Sequence, residues 1–586
     1  MKLDLTSLCV AYRDATLSPA DVVREIYSRI RAGGERPVWI HLIPEAETLA
    51  RAEALGAYRD DLPLYGVPFA IKDNIDLAGV PTTAGCPDFS YTPSKSATVV
   101  ERLMAAGAIP IGKTNLDQFA TGLVGVRSPY GACSSAIDAR YIPGGSSSGS
   151  AVAVAAGLAS FSLGTDTAGS GRIPAAFNEL IGLKATCGAL STSGVVPACR
   201  TLDCVSIFAK NTADAGRVFA VARGFDASDP WSRPAGQRVA WPYEKFRFGV
   251  PAAEWLRFFG DESAPALFES AAGRLEAMGG TRVEFDYCVF HDAADLLYAG
   301  PWVAERLAAI GQLAKENPGA LHPVTAQIIL KAGALSAVAA FEAAYRLAEL
   351  RRASESEWAR MDFMLLPTAG NCYTHEQIEA APIAHNTDLG YYTNFVNLLD
   401  LAGIAIPAGR RASGMPFGVT LIGPAWSDEA LLATAGSFAN ENRANEDIEQ
   451  LWCPVGYVPL AVCGAHLSGE PLNHQLTEAG AFLIESGRTA AQYRLYALGG
   501  TVPAKPGLVR SPGAGAAIEV ETWAVPGKNF GAFVANVPPP LGIGTCTLES
   551  GRTVKSFVCE PYALADAEDI TRFGGWKAYR ARPLID

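Results

Sequence analysis

Two glycine-rich segments constrain the fold of this chain more than any other feature of its sequence. Residues 143–150 read Pro-Gly-Gly-Ser-Ser-Ser-Gly-Ser, and residues 164–172 read Gly-Thr-Asp-Thr-Ala-Gly-Ser-Gly-Arg. Glycine tolerates backbone conformations that other residues avoid, so such segments can form tight turns in which N–H groups converge. The alanine-rich run 151–158 after the first segment predicts a helix, and the apolar run 161–163 before the second predicts a short strand.

Helix and strand patterns alternate along most of the chain, which predicts an α/β fold with a largely parallel sheet. The predicted helices cover 18–30, 97–107 and 428–440, with a mostly helical region over 266–360, and further strands are predicted at 109–112, 363–367 and 417–423.

The length of the chain and a change in its character near residue 456 predict two domains. A chain of 586 residues is too long for a single ordinary core. The polar stretch 441–447 follows the last predicted helix of the first part, and short strands and turns dominate after it. We predict a first domain over residues 1–445 and a smaller, β-rich α+β domain over residues 456–586.

The composition excludes several classes of protein. Hydrophobic residues make up 49% of the chain and charged residues 18%, as in compact globular proteins, and the formal charge of −12 offers no basic surface for nucleic acid. The twelve cysteines form no C-x-x-C pair, which is typical of free thiols in a reducing compartment. We find no signal-peptide pattern and no run of eighteen apolar residues. We therefore expect a cytoplasmic protein that binds neither membranes nor nucleic acid.

Ser146 and Ser170 lie in the two glycine-rich segments, and no histidine occurs between His41 and His291. Catalysis by either serine would therefore require a distant histidine or a lysine as the base. Lys72 is the candidate, because it ends an apolar run in which burial would lower its pKa and favour the neutral amine. The alternatives are a surface lysine, a flexible glycine and serine linker, an anion-binding loop and a tight structural turn.

Lys72, the Gly-Gly-Ser-Ser at 144–147 and the Gly-Thr-Asp-Thr-Ala-Gly-Ser at 164–170 resemble the amidase signature family of serine hydrolases. The spacing agrees, with 74 residues from Lys72 to Ser146 and 24 from Ser146 to Ser170. The resemblance covers residues from about 15 to 440. It implies the amidase signature fold, which is a large mixed, mostly parallel β-sheet flanked by helices.

The resemblance also implies a role for each of these residues. Ser170 would be the nucleophile, Ser146 a bridging serine that follows a cis peptide bond, and Lys72 the base of an acyl-enzyme mechanism. The implied oxyanion hole consists of backbone N–H groups, those of Thr167, Ala168, Gly169 and Ser170. The family implies no cofactor and no metal.

Further segments are similar to one branch of the family, the allophanate hydrolases. They are residues 115–125 and 127–131, together with Ser148 in place of a common glycine and Gly171 in place of an isoleucine. Segment 298–306 resembles the part of these enzymes that recognises allophanate, which is urea bearing a carboxylate. The resemblance implies that the substrate is bound by Tyr298, Arg306 and Gly122.

Arg306 would pair bidentately with the carboxylate of such a substrate. Pro301 predicts the start of a helix, which would leave Tyr298 in the preceding loop and Arg306 on the second helical turn. The alternative is an ordinary surface arginine beside Glu305.

Segment 462–467 and Glu521 resemble the γ-glutamylcyclotransferase-like domain that is appended to allophanate hydrolases. Hydrolysis of allophanate at its terminal amide gives ammonia and N-carboxycarbamate, which must decarboxylate to yield two ammonia and two carbon dioxide overall. Our hypothesis is that this domain promotes the decarboxylation, with His466 as the contributing residue. The alternatives are a buried histidine with satisfied hydrogen bonds and a domain used only for dimerisation, and His474 is predicted to lie at the surface.

The resemblance implies a homodimer and, as a possible partner in the same pathway, a biotin-dependent urea carboxylase. The allophanate could come from urea, biuret or cyanurate. Two alternative functions stay open, namely hydrolysis of another small carboxylate-bearing amide and an inactive scaffold protein.

Overall fold

The structure, a computed structural model, describes residues 1–34, 37–242, 245–439, 453 and 457–582. The chain divides into two compact units, of which the first comprises 1–234 with 239–448 and the second 235–238 with 449–586, so far as these are described. The predicted boundary at 441–447 lies outside the described residues. The domain limits 1–445 and 456–586 therefore stay a prediction.

An eleven-stranded sheet forms the centre of the first unit. In chain order its strands β1 to β11 are Trp39–Leu42, Pro68–Lys72, Ile109–Thr114, Phe161–Asp166, Ile181–Lys184, Cys204–Ala209, Arg247–Pro251, Thr281–Phe285, Phe363–Pro367, Leu401–Arg410 and Pro416–Pro424. Their order across the sheet is β1-β3-β2-β4-β6-β5-β10-β11-β9-β7-β8.

The α-helices of the first unit pack around this sheet. In chain order α1 to α16 are Leu5–Arg13, Pro19–Ala32, Glu45–Ala54, Thr98–Ala105, Ser148–Ala155, Ile173–Phe177, Thr212–Ala222, Ala264–Ala277, Cys288–Tyr298, Val303–Glu316, Pro323–Ile329, Ala337–Trp358, His375–Ala380, Ala384–Gly390, Phe395–Leu398 and Asp428–Phe438.

The sheet is mixed, as predicted, but the prediction that it is mostly parallel is wrong. Four pairings are parallel, namely those of β2 with β3 and β4 and of β7 with β8 and β9. Six pairings are antiparallel. Strands β10 and β11, for example, are joined only by residues 411–415 and form a hairpin, which a parallel pair cannot do. Alternation of helix and strand patterns favours parallel pairing, but it does not fix the direction of each individual pair.

Most predicted elements are confirmed to within a few residues. The strand predicted at 363–367 is observed as Phe363–Pro367, and the last helix begins at Asp428 as predicted. Helix α5 begins earlier than predicted, at Ser148, inside the first glycine-rich segment. The region 266–360 also contains a strand that the prediction missed, Thr281–Phe285, which lies at the edge of the sheet and is mostly exposed.

Strands β2 and β4 lie side by side in the interior and run in the same direction. All residues of both strands are buried, and the rings of Phe69 and Phe161 stack at 5.2 Å. Because parallel strands end at the same edge of a sheet, the last residue of β2, Lys72, lies beside the end of β4. Polar groups that follow either strand therefore meet at this edge.

The second unit is a β-rich α+β structure. Its strands β12 to β19 are Tyr457–Val462, Phe482–Arg488, Tyr493–Ala497, Pro506–Arg510, Glu519–Pro526, Leu541–Thr547, Thr553–Cys559 and Glu568–Asp569. They form a five-stranded sheet of order β13-β16-β12-β18-β17 and a three-stranded sheet of order β15-β14-β19. The helices α17 to α19 are Asn473–Glu478, Gly527–Ala535 and Trp576–Arg580.

Within the described ranges, no single helix has both the length and the apolar character that a membrane crossing requires. One bent pair, Pro323–Ala334 with Ala337–Trp358 at 101°, meets the criterion by length and composition only.

Candidate active site

Lys72 is fully buried at the end of β2 and contacts two hydroxyl groups. Its Nζ donates to Ser146 Oγ at 2.7 Å and to Thr165 Oγ1 at 2.8 Å. Burial lowers the pKa of Lys72 to about 7, against the opposing effect of nearby carboxylates, of which Asp117 contributes most. Burial disfavours the ammonium form, so a large fraction of Lys72 is neutral near pH 7. The alternative of a surface lysine is excluded.

The peptide bond between Gly145 and Ser146 is cis, as the family resemblance implies. Gly144 has a φ of +73°, a conformation that favours glycine. A Cβ at Gly145 would lie 2.2 Å from Asp117 Oδ2 and 2.4 Å from the backbone nitrogen of Gly125, so no side chain fits there. The glycines let the backbone of the first segment pack directly against its neighbours, and the linker alternative is wrong.

Asp166, the last residue of β4, holds the turn that carries Ser170. Its carboxylate accepts the N–H groups of Gly169 at 2.8 Å and Gly171 at 3.0 Å, and it receives both Nε and NH2 of Arg172. Burial alone would raise the pKa of Asp166, but the bidentate Arg172 guanidinium and these bonds hold it below its ordinary value. Ser170 is 2% exposed within this turn.

The hydrogen bonds of this turn show which of the four N–H groups predicted for the oxyanion hole already have an acceptor. The Gly169 N–H donates to the Asp166 carboxylate at 2.8 Å in this structure, and its place in the predicted set stays a prediction. In the described part of the chain, no protein acceptor is found for the backbone N–H groups of Thr167, Ala168 and Ser170. These three groups stay candidates for binding an oxyanion.

Arg306 is buried and makes no ion pair within the described residues. Its NH1 donates to Ala120 O and Thr121 Oγ1, both at 3.1 Å, and its NH2 lies 3.3 Å from the Tyr298 hydroxyl. The guanidinium also lies over the Tyr298 ring, 5.3 Å from its centroid. With 2% exposure, Arg306 is not the surface arginine of the alternative, and Glu305 instead accepts from Thr201.

The helix that carries Arg306 begins two residues later than its predicted start at Pro301. Tyr298 is the last residue of α9 rather than a loop residue, and α10 begins at Val303, which places Arg306 in its first turn. The residues around Pro301 separate two helices, so the proline follows one helix and precedes the next by two residues. The two side chains nevertheless meet.

Gly122 directly follows Thr121, to which Arg306 is bound, and has a φ of +148°. A Cβ there would lie 2.8 Å from Asp117 Oδ2 and 2.9 Å from Arg127 NH1. The structure thus brings the three predicted substrate-binding residues into one neighbourhood.

Two carboxylates and one hydroxyl of this site were missed by the sequence analysis. The hydroxyl of Thr165 accepts a hydrogen bond from Lys72 Nζ, as that of Ser146 does. Asp203 accepts hydrogen bonds from the hydroxyl of Thr167 and the N–H of Ala198. Asp117 lies beside Gly145. The polar position of Thr165 at the end of an apolar strand could have indicated it, whereas Asp203 has no local signal.

The second unit contains a separate cluster around His466. His466 Nε2 lies 3.0 Å from Gln475 Oε1, and its ring stacks on Phe557 at 4.9 Å. Burial lowers the pKa of His466, so the ring is neutral near pH 7. Glu521 is buried and accepts from Ser468 N at 2.7 Å, while Lys577 Nζ lies at 3.2 Å. His474 is exposed, as predicted.

Comparison with known proteins supplies the family. The model of the family described as Amidase matches residues 21–432. The chain belongs to the amidase family. A second family model, described as the allophanate hydrolase C-terminal domain, matches residues 458–581. The predicted amidase signature fold with a smaller β-rich C-terminal domain is confirmed.

Two similar proteins are much longer than this chain, and a third has a similar length. The urea amidolyases of Lachancea kluyveri and Saccharomyces cerevisiae are each 44% identical over 578 residues, and the matches cover 94% and 92% of this chain. The chain spans only 31% of each of these relatives. The solved allophanate hydrolase of Kluyveromyces lactis is 39% identical, with a TM-score of 0.71 and 98% of both chains covered.

Substitution of Lys72 by methionine is expected to remove a pH dependence from the stability of the protein. The pKa of folded Lys72 is about 7, below the value of about 10.4 for an unfolded lysine. Between these values the unfolded chain binds more protons, so the wild type gains stability as the pH rises through this window. Thermal unfolding should show Lys72→Met at its greatest advantage near or below pH 7, shrinking as the pH rises. The exposed Lys95→Met is the control, and parallel pH profiles for wild type and Lys72→Met would contradict the assignment.

Proposed function

We propose that this chain hydrolyses allophanate at its terminal amide through a Ser-cisSer-Lys acyl-enzyme mechanism. The observation that carries the proposal is the buried Lys72 amine held 2.7 Å from Ser146 Oγ, beside the turn that presents Ser170. The similarity to an allophanate hydrolase over 98% of both chains supports the substrate.

The proton transfers follow from the order of the groups. Neutral Lys72 takes a proton from Ser146, and Ser146 takes one from Ser170, whose oxygen attacks the terminal amide carbon. The oxyanion that forms would be stabilised by the N–H groups of Thr167, Ala168 and Ser170. The proton then returns through Ser146 to the leaving nitrogen, and ammonia departs. Water cleaves the resulting ester by the same relay and releases N-carboxycarbamate.

Selection of the substrate would depend on the charge of Arg306. A buried guanidinium without a protein carboxylate as partner has a desolvation cost that an anionic ligand offsets. A planar carboxylate can accept two N–H bonds from it, while Tyr298 and the backbone at Gly122 complete the contact. Urea has no carboxylate and would therefore be a poor substrate.

We propose further that the second unit binds N-carboxycarbamate and promotes its decarboxylation. The match of residues 458–581 to the allophanate hydrolase C-terminal domain supports this role, and His466 contributes through the Nδ1 that its bond to Gln475 leaves available. The overall products are two ammonia and two carbon dioxide.

The chemistry of the substrate indicates its source. Allophanate is carboxylated urea, so a biotin-dependent urea carboxylase is the partner reaction that we propose, and the relatives called urea amidolyases, which are much longer than this chain, support it. We also propose a cytoplasmic location, because all twelve cysteines are free thiols, which suits a reducing compartment.

We propose a homodimer that forms through the exposed apolar face of α12. Val338, Phe341 and Tyr345 recur at helical spacing on this face and are each more than 60% exposed. Charges of both signs, such as Glu342 and Arg346, flank the apolar side chains. A twofold axis would place the same face of a second copy against it, bury the apolar groups and pair opposite charges.

Ser170→Ala is expected to reduce ammonia release from allophanate by about a thousandfold or more, because the acyl-enzyme cannot form. Ser206→Ala is the matched control, since Ser206 is a buried neighbour of Gly171 whose hydroxyl has no partner in the described chain. Ammonia release should be measured with allophanate, urea and a malonamic-type amide. Turnover of the malonamic amide alone would favour the alternative function, and no turnover of any amide would favour a scaffold protein.

His466→Ala is expected to leave the first ammonia unaffected and to delay the release of carbon dioxide and the second ammonia. The reason is that His466 lies in the second unit, whereas amide cleavage occurs in the first. The time courses of both products should be followed, with the exposed His474→Ala as the control. Unchanged time courses would show that the second unit has no catalytic role.

Phe341→Glu is expected to convert the dimer to a monomer, because it places a charge in the apolar face of α12. Light scattering after size exclusion gives the mass of each species. Phe225→Glu is the matched control, because Phe225 is also exposed, at 54%, but does not belong to this face. Equal masses for both variants would contradict the interface.

A further inference from the structure

The buried carboxylate of Asp117 organises the loop 122–127. Asp117 has no exposed side-chain surface and follows β3 by three residues. Its Oδ2 accepts the N–H groups of Gly125 at 2.9 Å and Val124 at 3.2 Å, and its Oδ1 accepts that of Arg127 at 2.9 Å. Three N–H groups of the loop are thus tied to a single side chain.

The same residue is also tied to the peptide that carries the bridging serine. The Asp117 N–H donates to Ser146 O at 3.1 Å, and the Gly145 N–H donates to Leu123 O at 2.8 Å. The carboxylate lies so close to Gly145 that a Cβ there would be 2.2 Å from Oδ2. Movement of Asp117 would therefore displace the hydroxyl that Lys72 contacts.

A third connection leads from this loop to Arg306. Arg127 NH1 donates to Thr121 O at 3.1 Å, and Arg306 NH1 donates to Thr121 Oγ1 at 3.1 Å. The loop that Asp117 holds therefore connects the reacting hydroxyls to the cation that would bind the substrate carboxylate.

Of the charged groups that act on Lys72, Asp117 has the largest effect. The carboxylates of Asp117, Asp203 and Asp166 raise the pKa of Lys72, in that order, and Arg306 lowers it, all against the larger effect of burial. Removal of the Asp117 charge would therefore move the pKa of Lys72 further down, which favours the neutral amine at lower pH.

We propose that Asp117 is a positioning residue for the hydrolysis, which holds Ser146 and the loop 122–127 in place and acts on Lys72 through its charge. This inference rests on the proposed Ser-cisSer-Lys mechanism but not on allophanate as the substrate. A purely structural carboxylate would stabilise the loop without any effect on the protonation of Lys72.

The test is the pH dependence of Ser170 labelling in the full chain by a serine-reactive fluorophosphonate probe, followed alongside allophanate turnover. Asp117→Asn should slow labelling about tenfold or more at the pH optimum. It should also move the acid limb, which is the rise of the labelling rate on the acidic side of the pH profile, by about one pH unit to lower pH. Asp117→Glu, which keeps the charge on a longer side chain, should slow labelling and leave the limb in place. Asp229→Asn is the matched control, because Asp229 is a buried carboxylate that accepts from Thr192 N and is not among the charges with the largest effects on Lys72.

Each outcome decides the inference. An acid limb that does not move in Asp117→Asn, or that moves equally in Asp229→Asn, would overturn it. If Asp117→Asn does not fold, wild-type labelling rates in Asp117→Glu would overturn it as well. A wild type that reacts with the probe but does not hydrolyse allophanate would refute the proposed substrate and leave the role of Asp117 to be decided by the labelling rates.

Discussion

The burial of one amine governs the arrangement of this site. Lys72 ends a strand of which every residue is buried, so its Nζ must find polar partners inside the protein. The hydrogen-bond partners of Nζ are hydroxyl groups rather than a carboxylate. With these partners, the neutral amine is well populated near pH 7. A carboxylate at hydrogen-bond distance would favour the ammonium form, which cannot accept a proton. The surrounding carboxylates act from a distance and adjust this balance.

The absence, among the described residues, of a carboxylate in direct contact with Lys72 is consistent with the hydrogen bonds that the buried carboxylates accept. Asp166 accepts backbone N–H groups and a bidentate arginine, and Asp117 accepts three backbone N–H groups. Each carboxylate is satisfied by its own loop and therefore serves as an anchor for it. The glycines follow from the same packing, since Gly145 and Gly122 each lie closer to Asp117 than any side chain would permit.

Much of the site could be predicted from the sequence because its chemistry is concentrated in short segments. Lys72 at the end of an apolar run and Ser146 in a glycine-rich turn are local patterns, and the structure places them in contact. Other features depend on three-dimensional geometry that the sequence pattern did not report. The antiparallel pairings, the use of the Gly169 N–H by Asp166 and the position of Arg306 in the first turn of α10 belong to this group. The edge strand at 281–285 was missed because its alternation is weak and its surface exposed.

The contacts of Lys72 and Arg306 join residues that are far apart along the chain. The sequence separations are 74 residues to Ser146, 93 to Thr165 and 185 between Arg306 and Thr121. Contacts of this length require long loops to close, and this closure has an entropic cost. During synthesis, an emerging chain that already contains Ser146 and Ser170 still lacks Arg306, the arginine that we propose binds the substrate. The order of synthesis thus separates Ser146 and Ser170 from Arg306 until most of the first unit has left the ribosome.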